Sequence, residues 1–96
     1  MAVVFYSARA LADLDRVFDF LVQHDSTLAD AAAALIVDAI TVLERHPNIG
    51  RPTRGELREL VISHGRTGYV ALYRVTRQGG QVEILALRHQ REAGFG

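Results

Sequence analysis

The hydrophobic period of this chain changes once, around Pro47. Before that residue, apolar side chains recur every three to four positions, the spacing of amphipathic helices. After the Gly-, Pro- and Arg-rich segment 48–55 they alternate with polar residues, the spacing of half-buried strands. A chain built this way puts its helices and most of its strands in separate blocks, so it folds as α+β rather than as alternating βαβ units.

The helical block begins after a short apolar stretch, residues 2–6, which reads as a strand. Ser7 offers an N-cap. Leu11, Leu14, Val17, Phe18, Leu21 and Val22 then fall on one side of a helix over 8–23, with Asp13, Asp15, Arg16 and Asp19 opposite. Residues 24–27 form a turn. Thr27 caps a second, alanine-rich helix over 28–46, with Asp30 in the third position of a capping-box-like start. Arg45 and His46 suit the negative end of its dipole, and Pro47 stops it. Two helices joined this closely make an antiparallel hairpin. In the strand block, 57–62, 68–76 and 81–87 form a three-stranded antiparallel meander, with Gly79-Gly80 as a tight turn. The first strand adds at the edge or beside the last one. The whole of 1–96 reads as a single domain.

Zero net charge conceals an asymmetry. Residues 1–50 hold three arginines against seven acids, a balance of −4; residues 51–96 hold eight against four, a balance of +4. Positive charge gathered on strands and on the tail Arg88-His89-Gln90-Arg91 suits a polyanionic partner. There is no lysine and no cysteine, which removes thiol chemistry and disulfides and makes a reducing cytoplasm the expected location. No stretch is expected to approach the ~20 apolar residues of a membrane span. The four histidines lack metal-site spacing, so no metal and no cofactor are expected. His24 and His46 read as structural or solvent-exposed, whereas His64 and His89 lie near arginines. Neither a nucleophile elbow nor a phosphate loop is present.

The arginines are the one candidate constellation. Along the middle strand Tyr69, Ala71, Tyr73 and Val75 share one face and Val70, Leu72 and Arg74 the other. Arg58 falls with Leu60 and Ile62. If helices cover one face of the sheet, Arg58, Arg74 or Arg88 on the open face would attract phosphate. The alternative is a solvated face whose arginines pair with Glu56, Glu59, Glu83 and Glu92. Tyr69, Tyr73 and Phe95 either stack on bases or, for the two tyrosines, pack in the core.

The ordered set Ala12-Asp13-Leu14, Pro47-x-x-Gly50-Arg51-Pro52, Leu57-Arg58-Glu59-Leu60, Gly68-Tyr69-Val70-Ala71-Leu72-Tyr73-Arg74 and Leu85-Ala86-Leu87-Arg88-His89-Gln90-Arg91-Glu92 resembles the RelE/ParE superfamily of toxins from type II toxin–antitoxin systems. The resemblance spans nearly the whole chain. It implies a toxin held inactive by a cognate antitoxin, which wraps an extended or helical acidic–apolar segment around it. RelE-like members cleave mRNA in the ribosomal A site without a metal; ParE-like members inhibit DNA gyrase. The cleaving branch generally uses several Lys and Arg on the sheet and a Tyr near the C-terminus. Here the position after Tyr69 is Val70, and Phe95 stands near the end, where it can stack but cannot transfer a proton. The pattern is therefore closer to the ParE-like branch.

From that resemblance the expected target-binding set is Arg58, Arg74, Arg88, Arg91 and Phe95. Arg66, Arg88 and His89 are the candidates for any residual catalysis. Three functions follow: a gyrase-binding toxin, a ribosome-dependent mRNA endoribonuclease, or a non-toxic module that only pairs with an antitoxin. The alanine-rich helix and an edge strand are both possible antitoxin docking surfaces.

Overall fold

A computed structural model describes residues 1–64 and 67–90. The elements run β1 (Val3–Tyr6), α1 (Ala8–Val22), α2 (Ser26–Thr41), a 3₁₀ turn (Val42–Glu44), β2 (Arg51–Pro52), β3 (Leu57–His64), β4 (Thr67–Thr76), a 3₁₀ turn (Arg77–Gly79) and β5 (Gln81–His89). The five strands form one mixed sheet in the order β1-β5-β4-β3-β2. β3, β4 and β5 are the expected antiparallel meander, and β1 lies parallel to β5 at one edge. Segment 48–55 is not all loop: β2 pairs Arg51 with Glu59 and Pro52 with Arg58. A two-residue strand containing proline is tolerated there because it is an edge.

Ser7 caps α1 as expected, its Oγ accepting from the Ala10 N–H at 3.0 Å. The second cap differs. Asp25, not Thr27, opens α2, and its Oδ1 accepts from the Thr27 and Leu28 N–H groups at 2.9 and 3.3 Å. Asp25 stands two and three residues before those donors, the reach an N-cap carboxylate needs. The α-helix gives way to the 3₁₀ turn at Val42, so Arg45 and His46 lie beyond it. The β4–β5 turn also begins earlier than Gly79-Gly80, with Gln78 and Gly79 at positive φ, 57° and 90°. A further correction concerns length: Ser26–Glu44 is one helical rod long and apolar enough to cross a membrane by composition.

The helical hairpin covers one face of the sheet. The core joins Ala10, Val17, Ala32, Ile36, Ile40 and Leu43 to Ile62, Tyr69, Ala71, Tyr73, Val82, Ile84 and Leu87. Alternation therefore places Tyr69, Ala71, Tyr73 and Val75 inward. Tyr6, Tyr69 and Tyr73 all pack in or against this core, and burial raises each phenol's pKa above its usual 10.0. For Tyr73 the Gly50 hydrogen bond and the Arg58 charge offset part of that rise. A raised folded pKa means stability is intact below pH ~10 and declines as pH climbs from there through the folded values. Chemical denaturation between pH 9 and 12 is thus expected to show a falling midpoint, with phenolate absorbance emerging at higher pH than in the urea-unfolded chain. Coincident titration of folded and unfolded chains would contradict this.

Candidate functional site

Two structural devices position the open face. The first is a β-bulge. Pairing runs Leu72 to Ala86 but Tyr73 to Ile84, so Leu85 is an extra residue in β5. Val82 and Ile84 face the core on one side of it, Leu87 on the other. Without the bulge, simple alternation would send Leu87 outward and Arg88 inward. β1 ends at Tyr6, so the outer edge of β5 beyond Ile84 lacks a strand, and α1 supplies its partners. Ser7 Oγ donates to the Leu85 carbonyl at 3.0 Å, Asp13 Oδ2 accepts from the Leu87 N–H at 2.9 Å, and Arg16 Nη2 reaches the Leu87 carbonyl at 3.4 Å. Arg9 and Arg16 flank the same carboxylate at 3.5 and 3.9 Å.

The second device pins segment 47–50 to the sheet. The buried Tyr73 hydroxyl donates to the Pro47 carbonyl and accepts from the Gly50 N–H, both at 2.8 Å. Arg58 Nη1 donates to the Asn48 and Gly50 carbonyls at 3.0 and 2.7 Å. Arg58 pairs with Tyr73 across β3–β4 and so lies on the helix side of the sheet. It holds a loop there, and the expectation that it stands on the open face does not hold.

The register maps the open face row by row. Phe5, Glu83, Arg74 and Leu57 form one row; Ala86, Leu72, Glu59 and Arg51 the next; Arg88, Val70 and Val61 a third. Arg74 binds Glu83 (Nη2–Oε1 2.7 Å, Nε–Oε1 2.9 Å), and Arg51 binds Glu59 with both contacts at 3.0 Å. Directly opposed, oppositely charged neighbours on adjacent strands neutralise each other. Arg88 donates through Nη1 to the His89 and Gln90 carbonyls, both at 3.2 Å. Between these charges the face is apolar: Val61 and Phe5 are exposed, while Val70 is only 2% exposed and Ala86 is equally buried.

Of the candidate residues, Arg74 and Arg88 share the open face. His89 pairs with Tyr69 on the core side, the rings meeting edge-on with centroids 5.5 Å apart. Arg66, Arg91 and Phe95 lie outside the described residues. Tyr69 and Tyr73 are core residues, so neither presents a ring for base stacking. Val70 lies between Arg88 and Val61, at the place where the cleaving branch is expected to carry a cation. Sequence reasoning missed Asp13 and Arg51. The acidic residue within an otherwise apolar helix turn was a signal for the first; the second needed the β2–β3 pairing.

A family model for the ParE toxin of type II toxin–antitoxin systems, parDE, matches residues 4–94. The chain belongs to this family. It is 36% identical over 84 residues to Toxin RelE3 of Caulobacter vibrioides, covering 88% of this chain and 89% of that one. With Toxin RelE2 of the same organism it shares 36% identity over 89 residues, 93% and 96% of the two chains. Among solved structures, a chain of the chromosomal ParDE system from P. aeruginosa superposes with a TM-score of 0.74 at 26% identity, covering 91% and 94%. A chain of the RelBE2 toxin–antitoxin complex from Mycobacterium tuberculosis gives 0.64 at 26%, covering 93% and 98%. The ParE/RelE fold thus accounts for the helical hairpin set on a mixed five-stranded sheet.

Proposed function

We propose that this ParE-family toxin acts by binding a protein target, DNA gyrase, and is held inactive by a cognate antitoxin. The observation that carries the reading is the open sheet face. Among the described residues it holds two arginine–glutamate pairs, Arg88 and a set of apolar side chains. A surface that tracks a phosphate backbone depends on cations available to displace counterions. Paired ions set among Val61, Leu72 and Phe5 are instead the composition of a protein contact. All three tyrosines of the chain are turned toward the core, which leaves this face without a phenol for proton transfer.

The ribosome-dependent endoribonuclease reading has Arg88 and the RelE names of the Caulobacter relatives in its favour. One pair of assays separates the two. Purified chain titrated into a DNA gyrase supercoiling reaction is expected to inhibit it, with no codon-linked mRNA cleavage in a translating extract. Unchanged supercoiling alongside cleavage would reverse the assignment. Inertness in both, with harmless expression, would leave an antitoxin-pairing module.

A further inference from the structure

We infer that the outward seam of α2 and the first residue of the 3₁₀ turn that follows it, formed by Leu28, Ala31, Leu35, Asp38 and Val42, is the docking site for a basic amphipathic helix of the antitoxin. The inference rests on the toxin–antitoxin part of the functional reading and not on the choice of target. These five positions follow the three-then-four spacing of a helix–helix seam. Leu28 and Val42 are 45% and 43% exposed, Ala31 and Asp38 are exposed, and Leu35 is half-buried. Only 28% of this apolar rod is buried. Alanine at 31 lets a second helix approach closely, and the 15 residues from Leu28 to Val42 span about 21 Å, a four-turn partner.

Charge selects the occupant. From Val17 to Glu44 the chain has five acids and no arginine or lysine. Asp25 is spent on the cap, while Asp30 and Asp38 stay exposed beside or within the seam. A second copy would lay this stretch, which carries acids and no Arg or Lys, against itself, a like-charge contact with no cation to compensate it. Helices that lie on anionic membranes carry Lys and Arg along their polar face, and this one carries none. A partner helix with apolar anchors at matching spacing, flanked by Arg or Lys, satisfies both the leucines and the aspartates. The acidic–apolar antitoxin segment implied by resemblance is complementary to the basic C-terminal half, so the seam calls for a different stretch of the same partner.

The test measures affinity of the full chain for its cognate antitoxin, identified by co-purification. Asp38→Arg, and separately Leu28→Ser with Val42→Ser, are expected to weaken binding about tenfold or more. Asp38→Arg is also expected to flatten the salt dependence. Gln78→Asn, in the exposed β4–β5 turn, serves as the unaffected control. Both seam variants alter exposed side chains, so circular dichroism and supercoiling inhibition should match the parent. Wild-type antitoxin affinity in both seam variants, or no binding by the parent chain, overturns the inference. So does self-association that the seam variants abolish, or partitioning of the parent onto vesicles of equal parts phosphatidylcholine and phosphatidylglycerol. Failure to inhibit gyrase with the seam effects intact would remove only the target assignment.

Discussion

Gly50→Ala is expected to destabilise this protein by roughly 3 kcal/mol, at the upper end of what overpacking a well-filled site costs. A Cβ at position 50 would stand 2.5 Å from the Tyr73 hydroxyl oxygen, 2.6 Å from its Cε1 and 2.9 Å from the Glu59 carbonyl. Two of those atoms belong to a ring in the centre of the core, and the third is strand backbone. None can yield as the end of a flexible side chain would. Relief requires segment 47–50 to lift away, which breaks the Tyr73 bonds to Pro47 and Gly50 and loosens the Arg58 clamp. For a domain of this size the expected loss corresponds to roughly 10–20 °C in melting temperature.

Comparison with other glycines isolates the cause. Gly55 has φ +59° with open space around it, so alanine there meets only backbone strain, about 1 kcal/mol. At Gly68 the added methyl meets the Gln90 side-chain amide, which can swing aside. Tyr73→Phe removes the closest obstructing atom but leaves Cε1 and the Glu59 carbonyl. In a double-mutant cycle with Gly50→Ala it should recover about 1 kcal/mol and no more. Thermal or urea unfolding of the four proteins reads this directly. A Gly50→Ala melting point within a few degrees of the parent would show that the loop is not pinned as described.

Much of this arrangement was legible in the sequence, and the exceptions share a cause. Ser7, Pro47 and the alternation along Tyr69–Val75 are local signals, and the α1 cap, the end of the helical block and the inward tyrosines follow from them. Even Arg58 was readable: parity with Leu60 and Ile62 puts it on the core side, and only its charge suggested otherwise. The choice between Asp25 and Thr27 as cap turned on which oxygen reaches two and three residues forward. What the sequence does not carry is pairing. β2 exists because Arg51 and Pro52 lie beside Glu59 and Arg58. The Arg74–Glu83 and Arg51–Glu59 pairs exist because register opposes them, so that among the described residues two of the sheet face's arginines are neutralised by their neighbours. The apolar character of α2 was visible, but its exposure depends on how little sheet lies beneath it.

The bulge at Leu85 leads to the second large effect. Asp13→Ala is expected to cost about 2 kcal/mol, because it leaves the Leu87 N–H without its acceptor at an edge that no strand covers. It also frees Arg9 and Arg16 from a carboxylate they share, a smaller contribution at half-exposed side chains. The consequence reaches function through parity. Only the extra residue lets Val82, Ile84 and Leu87 all face the core while Arg88 faces out. Removing the support that α1 gives the bulge favours slippage, and a slip by one residue would trade Leu87 for Arg88 in the interior. On the proposed gyrase-binding reading, Asp13→Ala should therefore lose inhibitory potency in the supercoiling assay beyond what its unfolded fraction explains, as should Arg88→Ala on a stable fold. Asp13→Asn retains an acceptor oxygen and should fall between parent and alanine in stability. Amide hydrogen exchange at Leu87, slow in the parent and fast in Asp13→Ala, reports the same bond independently. Protection unchanged by the alanine substitution would mean that the strand, not the aspartate, holds the bulge.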